Sequence, residues 1–229
     1  MENVVLVAEA NKTAQATFFK KTYTHLALGI LLFVGIEALF LRIEPLVDFL
    51  LSLTQGYLWL ALLGGFMGIT YVAQKMAQDK ISKPKQYLGF LLYIIAEALI
   101  FVPILYIAMF YSNDETVITQ AAIITAGLFL GLSMIVFGTS TNFSFLKSII
   151  SIGFFVAIAA IISGMIFGFE LGLWFSVGMI VLASGSILYE TYKIRNNYYV
   201  DEYVPAALSL FASLMLLFWY VLRLVMSRD

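Results

Sequence analysis

"SIISIGFFVAIAAIISGMIFGFELGLWFSVGMIVLASGSILYE", residues 148 to 190, contains two long apolar runs separated only by GFEL at 168 to 171. A helix needs about 20 apolar residues to cross a hydrocarbon core roughly 30 Å thick, and each run is long enough. Open backbone polar groups are too costly in hydrocarbon, so each run must satisfy its own hydrogen bonds as a helix. Gly168 and Glu170 suit a tight turn at the water boundary, and runs joined so briefly must lie antiparallel. The first run also carries Gly153, Ala157, Ala160 and Gly164 roughly a turn apart. Small residues spaced in this way predict a close helix contact.

The rest of the 229-residue chain repeats this pattern. Hydrophobic residues make up 62% of it, charged residues 12%, and the mean hydropathy is +0.96, well away from the roughly 25% charge of a soluble domain. Apolar stretches of spanning length fall at about 22–41, 56–74, 86–110, 117–137, 146–168, 171–190 and 204–226. The expectation is an all-α integral membrane protein, a bundle of seven transmembrane helices. Residues 1–21 form an N-terminal tail and 22–229 one transmembrane domain. The first 21 residues have no basic head followed by an apolar run and a small-residue cleavage site, so they do not read as a cleaved signal.

Lysine and arginine set the expected orientation. Lys12, Lys20, Lys21, Lys75, Lys80, Lys83, Lys85, Lys147, Lys193 and Arg195 fall on one side of the spans, and only Arg42, Arg223 and Arg228 on the other. By the positive-inside rule the N-terminus is cytoplasmic and the C-terminus outside. Tyr57, Trp59, Tyr111, Trp219 and Tyr220 lie near span ends, as an aromatic belt would place them.

Several chemistries are excluded. There is no cysteine, so disulfides, thiolate catalysis and thiolate metal sites are absent. The single histidine, His25, cannot make a multi-imidazole metal site. Asp48, Asp79, Asp114, Asp201 and Asp229 all lie in loops or at ends, so no aspartate pair stands inside the spans for intramembrane proteolysis. No glycine-rich phosphate loop opens a helix. A net charge of −1 gives no reason to expect nucleic acid. The chain is not expected to be an enzyme or to hold a resident cofactor.

Three carboxylates remain inside the spans: Glu37, Glu97 and Glu190. An acid exposed to lipid costs at least a few kcal/mol, so each should face protein, water or the headgroups. Glu37 is about one turn from its span end and within reach of the headgroups. Glu97 lies near mid-span, as a hydrogen-bonded structural carboxyl or as a proton or cation site. Glu190 closes the sixth span, where burial and the negative end of the helix both disfavour an ionised carboxylate. Lys193, three residues on, offers it an ordinary ion pair instead.

The sequence around these residues resembles the transmembrane Bax inhibitor motif family, and within it the bacterial YccA type. The resemblance is carried by VPIL at 102–105 with Pro103, QAAIITAGLF at 120–129 with Thr125, TSTNFSFLKSII at 139–150 opening with Thr139, SGSILYETYKI at 184–194, and the closing SRD. It implies a seven-helix bundle with the last helix central, multi-pass in a bacterial inner membrane. Members are described as pH-sensitive calcium leak channels, or as modulators of cell death and of membrane proteolysis. The partners implied are membrane lipid, calcium or another cation, and a membrane-anchored protease. The family's acidic pair maps onto Glu190 and Ser213, and the second position is therefore not acidic here. Without the mutual repulsion of two carboxylates the shared-proton switch is weakened. The expectation is that Glu190 accepts a hydrogen bond from Ser213 and forms a weak calcium or proton site, with Glu97 along the path. Calcium usually takes six to eight oxygens, most of which would have to come from carbonyls, hydroxyls and water.

Overall fold

A computed structural model describes residues 5–112 and 114–227. After a short 3-10 turn at Val7–Glu9 come α1 (Lys12–Phe40), α2 (Glu44–Ser52), α3 (Leu58–Ala77), α4 (Lys83–Phe110), α5 (Val117–Gly138), α6 (Leu146–Phe167), α7 (Gly172–Asn196) and α8 (Tyr203–Met226). Among the described residues there is no β-strand beyond one isolated bridge, Leu6 to Tyr199.

Six of these helices, α1, α4, α5, α6, α7 and α8, are long and apolar enough to cross a membrane. The expected second span corresponds to α3, which falls short because Gln74 and Lys75 occupy its last turn. Leucine, phenylalanine and isoleucine side chains stand exposed along the outer faces, among them Leu31, Ile123 and Phe155. A continuous apolar surface of this kind fits lipid rather than water.

Helix boundaries differ from the expected spans in three places, each with a local cause. The first helix begins at Lys12, ten residues before the apolar stretch, because Asn11 caps it: its Oδ1 accepts from the Ala14 amide at 2.8 Å. Pro45 in the first turn starts α2, whose Val47 and Leu50 pack with Val102 of α4. The expected spans leave residues 42–55 as a connection. Finally, α7 continues through TYKIRN, which has no Gly or Pro to stop it, to Asn196. Glu190 therefore lies inside the helix and not at its end, so the helix terminus acts on it less than expected.

The last helix, α8, is central. It packs against α1, α3, α4, α5 and α7, and its side chains from Val204 to Leu208 are all buried. The other strongly buried helix, α4, lies between α1, α3 and α8. Its approach to α3 is backbone-close: a Cβ on Gly89 would meet the Ala73 carbonyl oxygen and the Ala77 nitrogen at 2.5 Å. The α6–α7 hairpin forms as expected. Gly168 turns it with φ 72°, a left-handed conformation that favours glycine. The predicted small-residue contact is also present, with a Cβ on Gly153 falling 2.3 Å from Cδ1 of Leu182 on α7.

Candidate functional site

Two cavities approach each other along the antiparallel α7–α8 pair. The larger, about 870 Å³, extends from the helix ends at Glu170, Arg223 and Ser227 down to Glu97, Ser186 and Ser213. The smaller, about 250 Å³, lies toward the opposite helix ends and is lined by Gln74, Ser186, Glu190, Lys193, Ser209 and Ser213. Among the described residues they share only Ser186, Ala212 and Ser213. At this junction Ser186 Oγ and Ser213 Oγ are hydrogen-bonded at 2.9 Å, with either hydroxyl able to donate. The two serines thus stand as a polar bridge between the cavities.

The expected partner of Ser213 was Glu190; the structure gives it Ser186, one helical turn before Glu190 on the same face of α7. Ser213 is buried, with 5% of its surface exposed. Glu190 turns instead to Lys193, whose Nζ donates to Oε2 at 3.2 Å. The ion pair is half-buried and lines the small cavity, so the two readings left open for Glu190 meet in one place. Lys193 Nζ also lies 5.5 Å from the centre of the Tyr198 ring, and the Tyr198 hydroxyl is 3.1 Å from Ser209 Oγ. The Val7 amide donates to the Tyr198 carbonyl at 2.9 Å, and Val200 to Val5 at 3.1 Å. Residues 5–7 are therefore pinned to residues 198–200. This portion of the N-terminal tail is docked on the α7–α8 loop.

Glu97 reaches the floor of the large cavity with only 5% of its surface exposed. The Tyr93 hydroxyl, one turn earlier on α4, is set against the Glu97 carboxyl and the Gln74 side chain. Gln74 lines the small cavity and Tyr93 the large one, so these side chains also link the two. Glu37 does not reach the headgroups. It is buried in the face of α1 that packs on the bundle, and both carboxyl oxygens lack a protein hydrogen-bond partner.

The remaining sequence-marked residues have structural surroundings. Pro103 is buried in α4, and Thr125 is buried on α5. The Thr139 and Thr141 hydroxyls are 2.8 Å apart, while Arg195 Nη1 donates to the carbonyls of Val136 at 2.6 Å and Thr139 at 3.0 Å. Arg195 thus satisfies carbonyls at the end of α5. His25 Nε2 meets the Tyr87 hydroxyl at 3.1 Å. Three aromatic residues read as belt residues turn inward: Trp59, Trp219 and Tyr220 line the large cavity, and the Trp59 and Trp219 rings stack with centroids 6.3 Å apart. Tyr57 and Tyr111 are exposed near helix ends, as a belt requires. Ser186 is the functional candidate that the sequence alone does not mark, because a lone serine in a membrane helix bonds readily to its own backbone.

Among the described residues, no group of three or more His, Asp or Glu side chains is arranged to hold a metal ion. A tight divalent site is not built here. What the arrangement offers is two cavities with carboxylates, Glu97 and Glu170 on one side and Glu190 on the other, on either side of a hydroxyl bridge.

Residues 15–229 match the family model described as inhibitor of apoptosis-promoting Bax1. The chain belongs to the Bax inhibitor family. It is 26% identical to protein lifeguard 4 of Mus musculus over 225 residues, covering 95% of this chain and 87% of that protein. It is 25% identical to Bax inhibitor 1 of Schizosaccharomyces pombe over 232 residues, 98% of this chain and 81% of that one. An uncharacterized Pseudomonas aeruginosa protein is 31% identical over 163 residues, 70% of each chain. Within this Bax inhibitor fold, the central last helix carries the serine that the two cavities share.

Proposed function

We propose that this protein is a passive cation leak pathway, most readily for calcium, held closed by the Ser186–Ser213 hydroxyl pair. The observation that supports this reading is the meeting of two cavities, reached from opposite helix ends, at those two side chains and Ala212. The large cavity has Glu97 and, at its mouth, Glu170, and the small one Glu190, so each can attract a cation from its own side. Weak coordination suits passage, because an ion bound tightly cannot leave. With the N-terminus cytoplasmic, as the Lys and Arg distribution predicts, Glu190 and Lys193 stand at the cytoplasmic entrance of a bacterial inner-membrane protein. In this reading the shared-proton pair is replaced by a hydroxyl latch, so conduction depends less steeply on pH than in a two-acid pathway.

The test is calcium influx into dye-loaded liposomes. Wild type should admit calcium above protein-free vesicles. Ser186→Ala with Ser213→Ala removes the bridge and should raise the rate several-fold, whereas Glu190→Gln should lower it. Folded protein that carries no calcium, with the serine variants equally silent, overturns the proposal. The N-terminal segment and a membrane-anchored protease would then be the place to seek a regulatory role.

A further inference from the structure

The large cavity differs in kind from the small one. Its volume, about 870 Å³, is in the range of about 300–1,000 Å³ typical of small-molecule sites, which are mostly apolar with a few placed polar groups. Its wall includes the stacked Trp59 and Trp219 rings, and Phe101 meets Trp219 edge-on with centroids 5.0 Å apart. Its floor carries Glu97, whose carboxylate is nearly sealed from solvent. The mouth holds one charge of each sign, Glu170 and Arg223.

These features select among ligands. A lipid acyl chain would press hydrocarbon against the Glu97 carboxyl and offer it no polar partner. An anion meets the same carboxylate and is repelled. A divalent ion finds too few oxygens along the aromatic walls to be retained there, although weak coordination does not stop it from passing. An ammonium group on an apolar body satisfies every surface present: the charge pairs with the acid, and aromatic faces accept the alkylated nitrogen and its substituents. We propose that the large cavity binds an organic cation, a hydrophobic ammonium compound seated with its charged head on Glu97 and its apolar body against Trp59, Phe101 and Trp219. The site stands on the shape and chemistry of the cavity, whether or not ions pass beyond it.

Binding is measured without any ion gradient, in nanodiscs of zwitterionic lipid. The probe is 3-phenylpropyl-trimethylammonium, with its neutral isostere, in which carbon replaces nitrogen, alongside. Trp174→Phe serves as background, because Trp174 is 82% exposed on the outer surface and its removal leaves only Trp59 and Trp219 to report. The expected result is a saturable fluorescence change confirmed by calorimetry. Affinity should fall at least tenfold for the neutral isostere and for Glu97→Gln, and Asp48→Asn on α2 should leave it unchanged. Trp219→Leu, which keeps an apolar wall but removes the ring, should weaken binding several-fold even if Glu97→Gln folds poorly. Non-saturable uptake, or equal affinity for the charged and neutral probes, overturns the proposal. Absence of calcium flux with saturable probe binding retains the site and removes only the leak reading.

Discussion

Asp79, in the loop joining α3 to α4, shows how much a single side chain can organise. Its Oδ2 accepts from Lys85 Nζ at 2.6 Å, and its Oδ1 accepts from the Ile81 and Ser82 amides, each at 2.9 Å. The Lys85 hydrogen bond, followed by the two amides, lowers its pKa to about 2. A folded-state value below the roughly 3.9 of an unfolded aspartate favours folding above that pH, and the advantage disappears as pH falls from about 4 to about 2. Asp79→Ala should therefore lower the melting temperature in detergent at pH 7, with the gap to wild type closing over that interval. Asp79→Asn should lose less at pH 7, because its amide oxygen can still accept from the two backbone amides while only the Lys85 pair is lost. A gap unchanged down to pH 2 would mean that ionisation plays no part. At this scale the sequence made the acids legible and their partners much less so. Glu97 and Glu190 stood out because charge is rare in apolar runs. Ser186 did not, since one serine in a membrane helix closes its own hydrogen bonds easily and carries no distinctive pattern.

Among the elements, the α3–α4 contact is the most exacting. With Ala73 and Ala77 of α3 buried against Gly89, any side chain at 89 meets backbone atoms that cannot rotate away. Gly89→Ala should cost about 1–3 kcal/mol, the range for overpacking, and should displace α3. Thermal unfolding checks the loss, and a change in Trp59 fluorescence checks the displacement, because Trp59 rides on α3 and stacks on Trp219 of α8. An unchanged melting temperature and spectrum would show that the helices separate freely. The spans were readable because hydrocarbon thickness imposes one length on every crossing. The short α2 was not, since nine residues beginning at a proline give no such signal. Nor was the inward turn of Trp59 and Trp219: the rule that puts tryptophan near an interface fixes its depth and leaves its direction to packing.

For the molecule as a whole, the absence of cysteine makes topology directly testable, because a single introduced thiol has no background. Cysteines replacing Lys80 and Asn197 should react with an impermeant maleimide from one side of the membrane, and those replacing Tyr57 and Phe169 from the other. Reaction of Lys80 and Tyr57 from the same side would show that α3 does not cross. Family, bundle and central last helix were all legible in the order of motifs along the chain. The cavities were not, because they arise between helices distant in sequence, where several apolar faces are equally compatible with lipid and with protein. The central position of α8 also has a consequence for how the molecule is made. A ribosome delivers the chain from its N-terminus, so α1, α3, α4, α5 and α7 are all made before the helix on which they pack has been synthesised. Until Tyr203 onward emerges, they are helices around an unfilled axis. Pairs such as α3 and α4 can pack as they are made, but the bundle cannot be completed until its final helix arrives.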